Sequence, residues 1–528
     1  MTANFFRLMV FIARRERIAS SIWIAALVLS SVGLAALYPG LFPDQAALDA
    51  MATTLNTPAM TALMGPVYGL GQLTPAMAFA QQCLAWFAIA AAIMNIFFVI
   101  RHTRADEELG RQDMLAALPV GKLATATAVL LSALILNGVV ALLSWALLLA
   151  VGVEGTTAAG AAVYALSAGL QGVLFAAVAL LAAQLLSTAR AAAGLSFALL
   201  GLSYLARAQG DMDGDVLSYV SPLGLGLKVE AFYADNLAPL AVLAAEALAL
   251  AAGALVVNAR RDVGAGVIPA RPGRKQASRF LRGPLGLAWR LSRNTCLAWA
   301  AGLFLLSASY GAVIGQLDSF ASDNDMIRQM LEAQGGAASL TEGFIALLCA
   351  IMALSATVPV IATVSRWRSE EKRGRLDPVL ARAVPRERLF GSFLAVAAAE
   401  AVCFPVLTVT GLYAAARPTG LVDLGQLAQA AFVYVPASLA MAGLTALAVG
   451  LLPRLASLAW LLLAYSFVAV YFGPLFDLPK WAARLSPFGN VPQLPVQPFA
   501  AAPLLALLAL AALSAAAGLQ GLRRRDIA

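Results

Sequence analysis

The chain has 528 residues, of which 61% are hydrophobic and 12% are charged, whereas soluble domains contain roughly 45–50% and 25%. This composition excludes a soluble enzyme and predicts an all-α, polytopic membrane protein. The formal net charge of +8 raises the alternative of a nucleic-acid partner, but the positions of the basic residues follow membrane topology instead, so no nucleic-acid partner is expected.

Twelve apolar runs approach or exceed the roughly 20 residues that cross a bilayer core. Twelve spans place both termini on one side of the membrane. With that topology, 30 of the 36 Lys and Arg residues fall on the same side as the termini. The positive-inside rule therefore predicts a multi-pass membrane protein with both termini in the cytoplasm. The predicted spans are 18–38, 76–100, 123–151, 159–185, 187–207, 236–258, 294–317, 343–365, 389–415, 425–451, 455–474 and 500–521.

The segments outside the spans carry weaker signals. Residues 4–17 combine an apolar helical stripe with four arginines, which predicts an interfacial helix on the cytoplasmic leaflet. The long loop 39–75 contains prolines and apolar residues at helical spacing, and the loop 318–342 contains DNDMIRQMLEAQ. We expect short helices in both loops, whose roles the sequence leaves open.

One short charged motif occurs twice. Residues 104–113 read RADEELGRQD and residues 368–377 read RSEEKRGRLD, an offset of 264 (368 − 104) that equals half the chain length. The duplication predicts two pseudo-repeated halves of six spans each. We place the halves at 1–258 and 290–528, joined by a basic, Gly- and Pro-containing cytoplasmic linker at 259–289.

Each copy of the motif follows an apolar run, so each half presents a charged hairpin, 101–122 in the first and 366–388 in the second. Asp113 and Asp377 suit the N-cap of a short helix of about two turns, because a short carboxylate accepts from free amides of the next turn. Leu115 and Leu380 lie on the apolar face of these helices. Such a face suits docking onto another protein, and a solvated topology loop is the alternative.

A second duplication precedes the last span of each half, where Ser221-Pro222-Leu223-Gly224 corresponds to Ser486-Pro487-Phe488-Gly489. Proline and glycine at these points predict a kink or a re-entrant segment. Irregular backbone at membrane depth is tolerated where it lines a cavity or is buried in protein. An exit gate and a buried structural turn both remain open as interpretations.

The sequence lacks most catalytic signatures. No Gly-x-x-x-x-Gly-Lys-Ser/Thr loop is present to hold a nucleotide phosphate, so the chain is not expected to be an enzyme by itself. Its four cysteines are isolated and no metal-ligand spacing occurs. Glu246 and Glu400 lie within predicted spans, where an acid usually marks a transport pathway or a buried pair.

The charged hairpins resemble those of the permease subunits of bacterial ABC-2-type exporters. The resemblance rests on Arg104-Ala-Asp-Glu-Glu-Leu-Gly-Arg-Gln-Asp with Pro119-Val120-Gly121-Lys122, and on Arg368-Ser-Glu-Glu-Lys-Arg-Gly-Arg-Leu-Asp with Val384-Pro385-Arg386. The fused, two-half type called "exporter of polyketide antibiotics", which includes tetronasin permeases, is the most similar group. Pro378 has no counterpart at Met114, so the two hairpins differ.

This resemblance implies an ATP-driven exporter of a hydrophobic or amphipathic small molecule, located in the bacterial plasma (inner) membrane. A separate ABC ATPase, in two copies, would bind ATP and Mg²⁺ and dock onto the hairpins, and this chain would carry no cofactor. Reversing the charge of Glu107 together with Glu371 is then expected to uncouple transport while the protein stays folded. The residues that would couple to the ATPase are Arg104, Asp106, Glu107, Gly110, Arg111, Asp113, Leu115, Arg368, Glu370, Glu371, Gly374, Arg375, Asp377 and Leu380.

A proton-coupled, major-facilitator-like drug carrier is the alternative, because those carriers also have twelve spans in two halves. Their loop motif begins with glycine, whereas here the glycine follows two acids. By analogy with ABC-2 permeases, the candidate residues of a substrate cavity are Trp86, Phe87, Asn95, Tyr204 and Tyr465.

Overall fold

The structure is a computed structural model, and it confirms an all-α, polytopic membrane fold. Helices make up 81% of the residues, and no strand occurs in the described part of the chain. The chain divides into unit 1, Met1–Gly273, and unit 2, Arg274–Ala528. The described residues are 4–56, 58–117, 119–214, 216–262, 264–269, 276–314, 340–382, 384–420, 422–472 and 479–525.

In unit 1, α4 and α8 form the centre, and α1, α7, α9 and α12 pack around them. These apolar runs are helical because an α-helix satisfies the backbone polar groups of its own segment internally, as a membrane span must. The helices are α1 (Phe5–Leu41), α2 (Gln45–Leu55), α3 (Pro58–Met64), α4 (Pro75–His102), α5 (Arg104–Glu108), α6 (Arg111–Ala116), α7 (Ala124–Val151), α8 (Ala158–Leu185), α9 (Ala189–Asp213), α10 (Leu217–Val220), α11 (Pro222–Leu227) and α12 (Ala238–Arg260).

In unit 2, α14 and α18 are the most buried long helices, and α13, α16 and α21 pack beside them. A π-helical turn, Val468–Phe472, continues α19. The helices are α13 (Pro284–Val313), α14 (Leu340–Lys372), α15 (Asp377–Leu380), α16 (Arg386–Ala416), α17 (Leu424–Phe432), α18 (Val435–Leu451), α19 (Leu458–Phe467), α20 (Lys480–Leu485) and α21 (Ala501–Arg524).

Eleven helical segments of the described chain are long and apolar enough to cross a membrane, against twelve predicted. The predicted span 294–317 is the one without a match, and its residues up to Val313 belong to α13. Its last three residues lie outside the described residues. The two long loops also differ, since α2 and α3 confirm short helices within 39–75, whereas the predicted helix within 318–342 lies outside the described residues.

Residues 4–17 do not form a separate helix. They are the first turns of α1, which continues without interruption for 37 residues and is therefore about 55 Å long at 1.5 Å per residue. That length exceeds a hydrocarbon core of about 30 Å. The first turns of α1 are thus rigidly continuous with the first span, and they carry Arg15 and Glu16 into contact with the charged hairpin.

The duplicated Ser-Pro-x-Gly segments form compact turns in both units. Ser221 is the N-cap of α11, and its side chain accepts a hydrogen bond from the Gly224 amide at 3.2 Å. Ser486 accepts from the Phe488 amide at 3.1 Å. Both serines are buried. Their side-chain oxygens accept hydrogen bonds from backbone amides at the turns that precede the last span of each unit.

Close approach of small residues fixes the last span of unit 2. A Cβ added at Gly450 of α18 would lie 2.0 Å from the Gly518 carbonyl oxygen of α21, a distance that no side chain tolerates. Glycine on both helices therefore allows the backbones to touch, as small residues do in membrane helix pairs. This contact places the C-terminal end of α21, and Arg525 just beyond it, beside the hairpin of unit 2.

A buried amide pair joins α4 to α7 in unit 1. The Asn95 and Asn137 side chains donate to each other at 3.1 and 2.9 Å, and each also donates to a carbonyl of its own helix. Gly172 of α8 leaves room for the pair, because a Cβ there would lie 2.2 Å from the Asn137 Oδ1 atom.

We predict that Gly172→Ala lowers the apparent midpoint of thermal unfolding in detergent, because the methyl group displaces the amide pair. Overpacking of this kind costs about 1–3 kcal/mol. The matched control is Gly169→Ala on the same helix, where the new Cβ would lie no closer than 3.4 Å to its nearest neighbour. Equal midpoints for the two variants would contradict this account.

Candidate functional site: the charged hairpins

The hairpin of unit 1 turns at a glycine. After α4 ends, α5 carries the acids, and Gly110 has a φ of +67° before α6 begins. Gly374 occupies the same place in unit 2 with a φ of +62°. This left-handed conformation favours glycine, because other residues bring a Cβ into steric conflict there. The duplicated glycine of the motif is therefore explained by the turn it makes.

The prediction of aspartate N-caps is wrong. Gly110 is the N-cap of α6, and Asp113 lies within its first turn. In unit 2 the N-cap of α15 is Leu376, and Asp377 is the first helical residue. In unit 2 the helix is also shorter than the predicted two turns, since α15 has four residues. The left-handed conformation of Gly110 sets the start of α6, and this conformation was not predicted from the sequence.

A buried carboxylate ties the hairpin of unit 1 to the end of its last span. The Glu107 side chain is 4% exposed and pairs with Arg104 and with Arg261, which follows α12. The Arg261 Nη1 atom donates to Glu107 Oε2 at 3.0 Å. Arg104 also donates through Nε to the Leu186 carbonyl oxygen at 2.7 Å, so it holds the end of α8 as well.

The same arrangement recurs in unit 2. The Glu371 side chain is fully buried, and it accepts from Arg368 at 3.1 Å and from Arg525 at 2.6 Å. Each member lies 264 positions after its counterpart, including Arg525 against Arg261 (525 − 261). We call each of these clusters an arginine clamp, made of Arg104, Glu107 and Arg261 in unit 1 and of Arg368, Glu371 and Arg525 in unit 2.

The first acid of each pair is bound differently in the two units. Asp106 accepts from Arg111 at 2.9 Å and from Arg15 of α1 at 2.6 Å. Its counterpart Glu370 pairs with Arg375 at 3.6 Å. The intrahairpin pair is thus duplicated, whereas the additional bond to Arg15 is a feature of unit 1.

A second contact fixes α1 to this region. Glu16 of α1 accepts from Arg101 at 2.9 Å, and its carboxylate lies 3.1 Å from the Nε2 atom of His102. His102 is buried with its ring against Phe98. His102, the last residue of α4, is therefore packed against α1.

The exposed part of each hairpin is its tip. In unit 1, Leu109 and Met114 are 63% and 68% exposed, and Arg111 and Asp113 are also exposed. In unit 2 the exposed residues include Arg375 and Asp377, together with Gly374.

The two predicted docking leucines pack inward instead. Leu115 and Leu380 are half-buried against the cores of their own units. The apolar face that suggested a docking helix is therefore covered by the unit to which it belongs.

The comparisons with known proteins agree with this architecture. Residues 281–523 match the family described as "Multidrug efflux system permease Rv1217c, C-terminal domain". Over 531 aligned residues the chain is 35% identical to the "Multidrug efflux system permease protein Rv1217c" of Mycobacterium tuberculosis (strain ATCC 25618 / H37Rv), covering 97% of this chain and 93% of the relative. The chain belongs to this multidrug efflux permease family. The duplicated hairpins and their arginine clamps are therefore features of a permease.

The predicted cavity residues of the permease have different surroundings. Trp86 and Tyr204 have ring centroids 6.4 Å apart, and the Tyr204 hydroxyl donates to the Leu63 carbonyl oxygen at 3.0 Å. Phe87 packs against the core of unit 1, and Asn95 is buried in its amide pair. In unit 2 the Tyr465 hydroxyl donates to the Ala482 carbonyl oxygen at 2.6 Å. Their role in substrate binding stays a prediction.

The two intramembrane acids of the permease have unlike surroundings. Glu400 is buried and accepts from the Thr363 hydroxyl at 3.0 Å. Glu246 lines a cavity between α8, α9 and α12, and it has no hydrogen bond or ion pair with any described residue. Glu400 thus belongs to the packing of unit 2, whereas Glu246 lines a cavity of unit 1.

Sequence reasoning missed the two arginines that complete the clamps. Arg261 and Arg525 follow the last spans and were counted only as topology signals. One signal was available, because they lie at the same offset of 264 as the hairpin motif. Each arginine is 154 positions from its glutamate partner, so no local sequence pattern connects the two residues.

We predict that Arg261→Gln strongly destabilises the permease, because it leaves the buried Glu107 with only one cationic partner. Leaving a buried charge wholly unpaired costs about 3–5 kcal/mol, and because Arg104 still pairs with Glu107 we expect a loss below that range, seen as a lower apparent midpoint of thermal unfolding in detergent. The control is Arg260→Gln, since Arg260 is the exposed neighbour. The double variant Glu107→Gln with Arg261→Gln should lose less than the two single losses added together. Strict additivity would show that the two residues do not interact.

Proposed function

We propose that the permease is the membrane subunit of an ATP-driven ABC exporter that works with a separate ATPase dimer. It moves a hydrophobic or amphipathic small molecule out of the cytoplasm or the inner leaflet by alternating access. The relative's printed name, a multidrug efflux system permease, supports the export of drug-like compounds. The observation that carries the proposal is the duplicated hairpin with its arginine clamp, one in each unit.

The arginine clamp supplies a route for mechanical coupling. A partner that moves the hairpin also moves the last span, because Glu107 and Glu371 join the two through buried ion pairs. In this proposal, closure of the ATPase dimer on ATP draws the hairpins 101–122 and 366–388 together and rocks the two halves outward. Each buried pair acts as a rigid joint, since breaking it exposes an uncompensated charge.

The coupling residues divide into two groups in this mechanism. Arg104, Glu107, Arg368 and Glu371 transmit force within the permease, whereas the exposed tips meet the ATPase. Leu109 and Met114 suit such a contact, because exposed apolar side chains on an otherwise charged surface favour a protein partner. ATP and Mg²⁺ belong to the partner chain, and the permease is the transport component of the complex.

Orientation follows from the distribution of basic residues. We place the hairpins, the linker 259–289 and both termini in the cytoplasm of a bacterial plasma membrane, according to the positive-inside rule. Membership in the fused, tetronasin-type group of exporters is part of the same proposal, and it rests on the duplicated motif within one chain.

A proton-coupled carrier is the second candidate function. The observation that favours it is Glu246, an intramembrane acid without a partner among the described residues that lines a cavity, since such acids serve proton relays in transporters. Against it stands the order of the duplicated motif, in which two acids precede the glycine, whereas the loop motif of such carriers begins with glycine.

Transport in proteoliposomes separates the two functions. We expect permease reconstituted alone to move no fluorescent drug under an imposed pH gradient. The same permease, reconstituted with the ATPase that copurifies from native membranes, should transport the drug when ATP and Mg²⁺ are supplied. Transport by the permease alone under the pH gradient would overturn the exporter proposal.

The docking surface is tested at the hairpin tip rather than at the buried acids. The sequence predicts that charge reversal at Glu107 and Glu371 uncouples transport in a folded protein. Because both side chains are buried and paired, we expect this change to unfold the protein instead. We predict that Leu109→Glu with Met114→Glu lowers ATP-driven transport at least tenfold, with little change in thermal stability.

The control for this test is Leu237→Glu. Leu237 is equally exposed and precedes α12, about 35 Å along that helix from the arginine clamp. Equal transport losses in the control and the tip variant, or a tip variant that retains full ATPase association, would argue against docking at the tip.

A further inference from the structure

Unit 1 contains a cavity that the hairpin mechanism does not use. Its volume is about 520 Å³, within the range of roughly 300–1,000 Å³ found for small-molecule sites. Residues of α8, α9 and α12, with the turn between α10 and α11, form the walls. Among the lining residues are Phe175, Leu202, Ser203, Val220, Pro222 and Glu246.

Glu246 lies near the middle of its span. It is eight residues after the start of α12 and fourteen before its end, which places it about 12 Å and 21 Å from the two ends of the helix. The residue is partly exposed to the cavity and has no hydrogen bond or ion pair with any described residue. An ionisable side chain at such a depth is costly, and it commonly marks a substrate or ion pathway.

The hydroxyls beside the cavity are already satisfied. Ser203 and Ser221 lie 2.9 Å apart through their Oγ atoms, the Ser221 hydroxyl donates to the Ser203 carbonyl oxygen at 2.6 Å, and the Leu223 amide donates to Ser203 Oγ at 3.2 Å. Among the described lining residues, Glu246 is consequently the one charged group available to a ligand. The duplicated Ser-Pro-x-Gly turn, whose role the sequence left open, forms one wall of this site.

We propose that this cavity binds lipophilic organic monocations, with Glu246 as the counter-charge. Apolar walls suit a large cation whose charge is shielded by hydrocarbon, because such an ion loses little hydration on entry. A divalent metal ion is a poor fit, since it needs several oxygen ligands and the cavity offers one carboxylate. An anion would meet the negative charge of Glu246. The inference rests on the proposed function, and it names a substrate class for the exporter.

The site is a feature of unit 1. At offsets of 264 and 265 the counterparts of Glu246 in unit 2 are Leu510 and Ala511, which are both apolar. The two halves therefore share their hairpins and turns but differ at the level of this cavity. In this proposal the permease recognises the charge of its ligand in unit 1 and not at the equivalent position of unit 2.

The test is ligand binding to the full-length permease in nanodiscs, without ATPase or nucleotide. The probes are tetraphenylphosphonium, a lipophilic cation, and tetraphenylborate, an anion of similar shape. We expect the cation to bind the wild-type protein, and Glu246→Gln to weaken that binding about tenfold or more, as loss of a charged contact does. Glu246→Asp should retain a substantial part of the affinity, and the anion should bind no better than to empty nanodiscs.

Glu400→Gln is the matched control, because it removes the other intramembrane carboxylate, which is bonded to Thr363 in unit 2. Unchanged cation binding in this control supports the assignment to Glu246. Equal cation binding by Glu246→Gln and wild type, an equal loss in Glu400→Gln, or equal affinity for both probes overturns the proposal. Because no nucleotide is present, these outcomes are independent of whether transport is driven by ATP.

Discussion

A buried carboxylate joins the charged hairpin of each unit to the end of that unit's last span, and the rest of the architecture serves this contact. Glu107 and Glu371 are each held by two arginines, one from the hairpin and one from beyond the last helix. The ion pair therefore connects two distant parts of each unit, because the hairpin follows an early span and the second arginine follows the final span. Packing of glycine against glycine, as at Gly450 and Gly518, brings the last span of unit 2 to this point.

The energetics of such a joint favour specificity over stability. Burying two charges costs desolvation that their attraction only partly repays, so a buried pair is weak evidence for a stabilising role. Once formed, however, the pair tolerates few alternatives, since displacing either partner leaves an unpaired charge in the protein. A hydrophobic contact of the same size would allow the hairpin to slide, whereas hydrogen-bonded ion pairs hold one register. This difference suits the role in transmitting movement that we propose for the hairpins.

The sequence predicted the features that depend on local information. Span length and charge bias are properties of short segments, so the membrane fold and eleven of the spans were accessible from hydrophobicity alone. The repeated motif located the hairpins for the same reason. The partners within the site were not accessible, because Glu107 and Arg261 are 154 positions apart and helix packing brings them together. The inward packing of Leu115 and Leu380 was missed on the same grounds, since an apolar face by itself does not identify what covers it.

Differences between the two units carry a further consequence. Duplication preserves the arginine clamps, yet Asp106 is bound by Arg15 of α1, and Glu370 is bound within its own hairpin. The third acid of unit 1, Glu108, accepts from the Ala189 amide at the start of α9, whereas Lys372 stands at that place in unit 2. Among the described residues, the hairpin of unit 1 is therefore bonded to α1, α9 and the ends of α8 and α12, whereas the hairpin of unit 2 is bonded to α13, through the Leu291 carbonyl oxygen, and to the end of α21. Under the proposed mechanism, a partner that docks on both hairpins therefore meets two differently bonded surfaces.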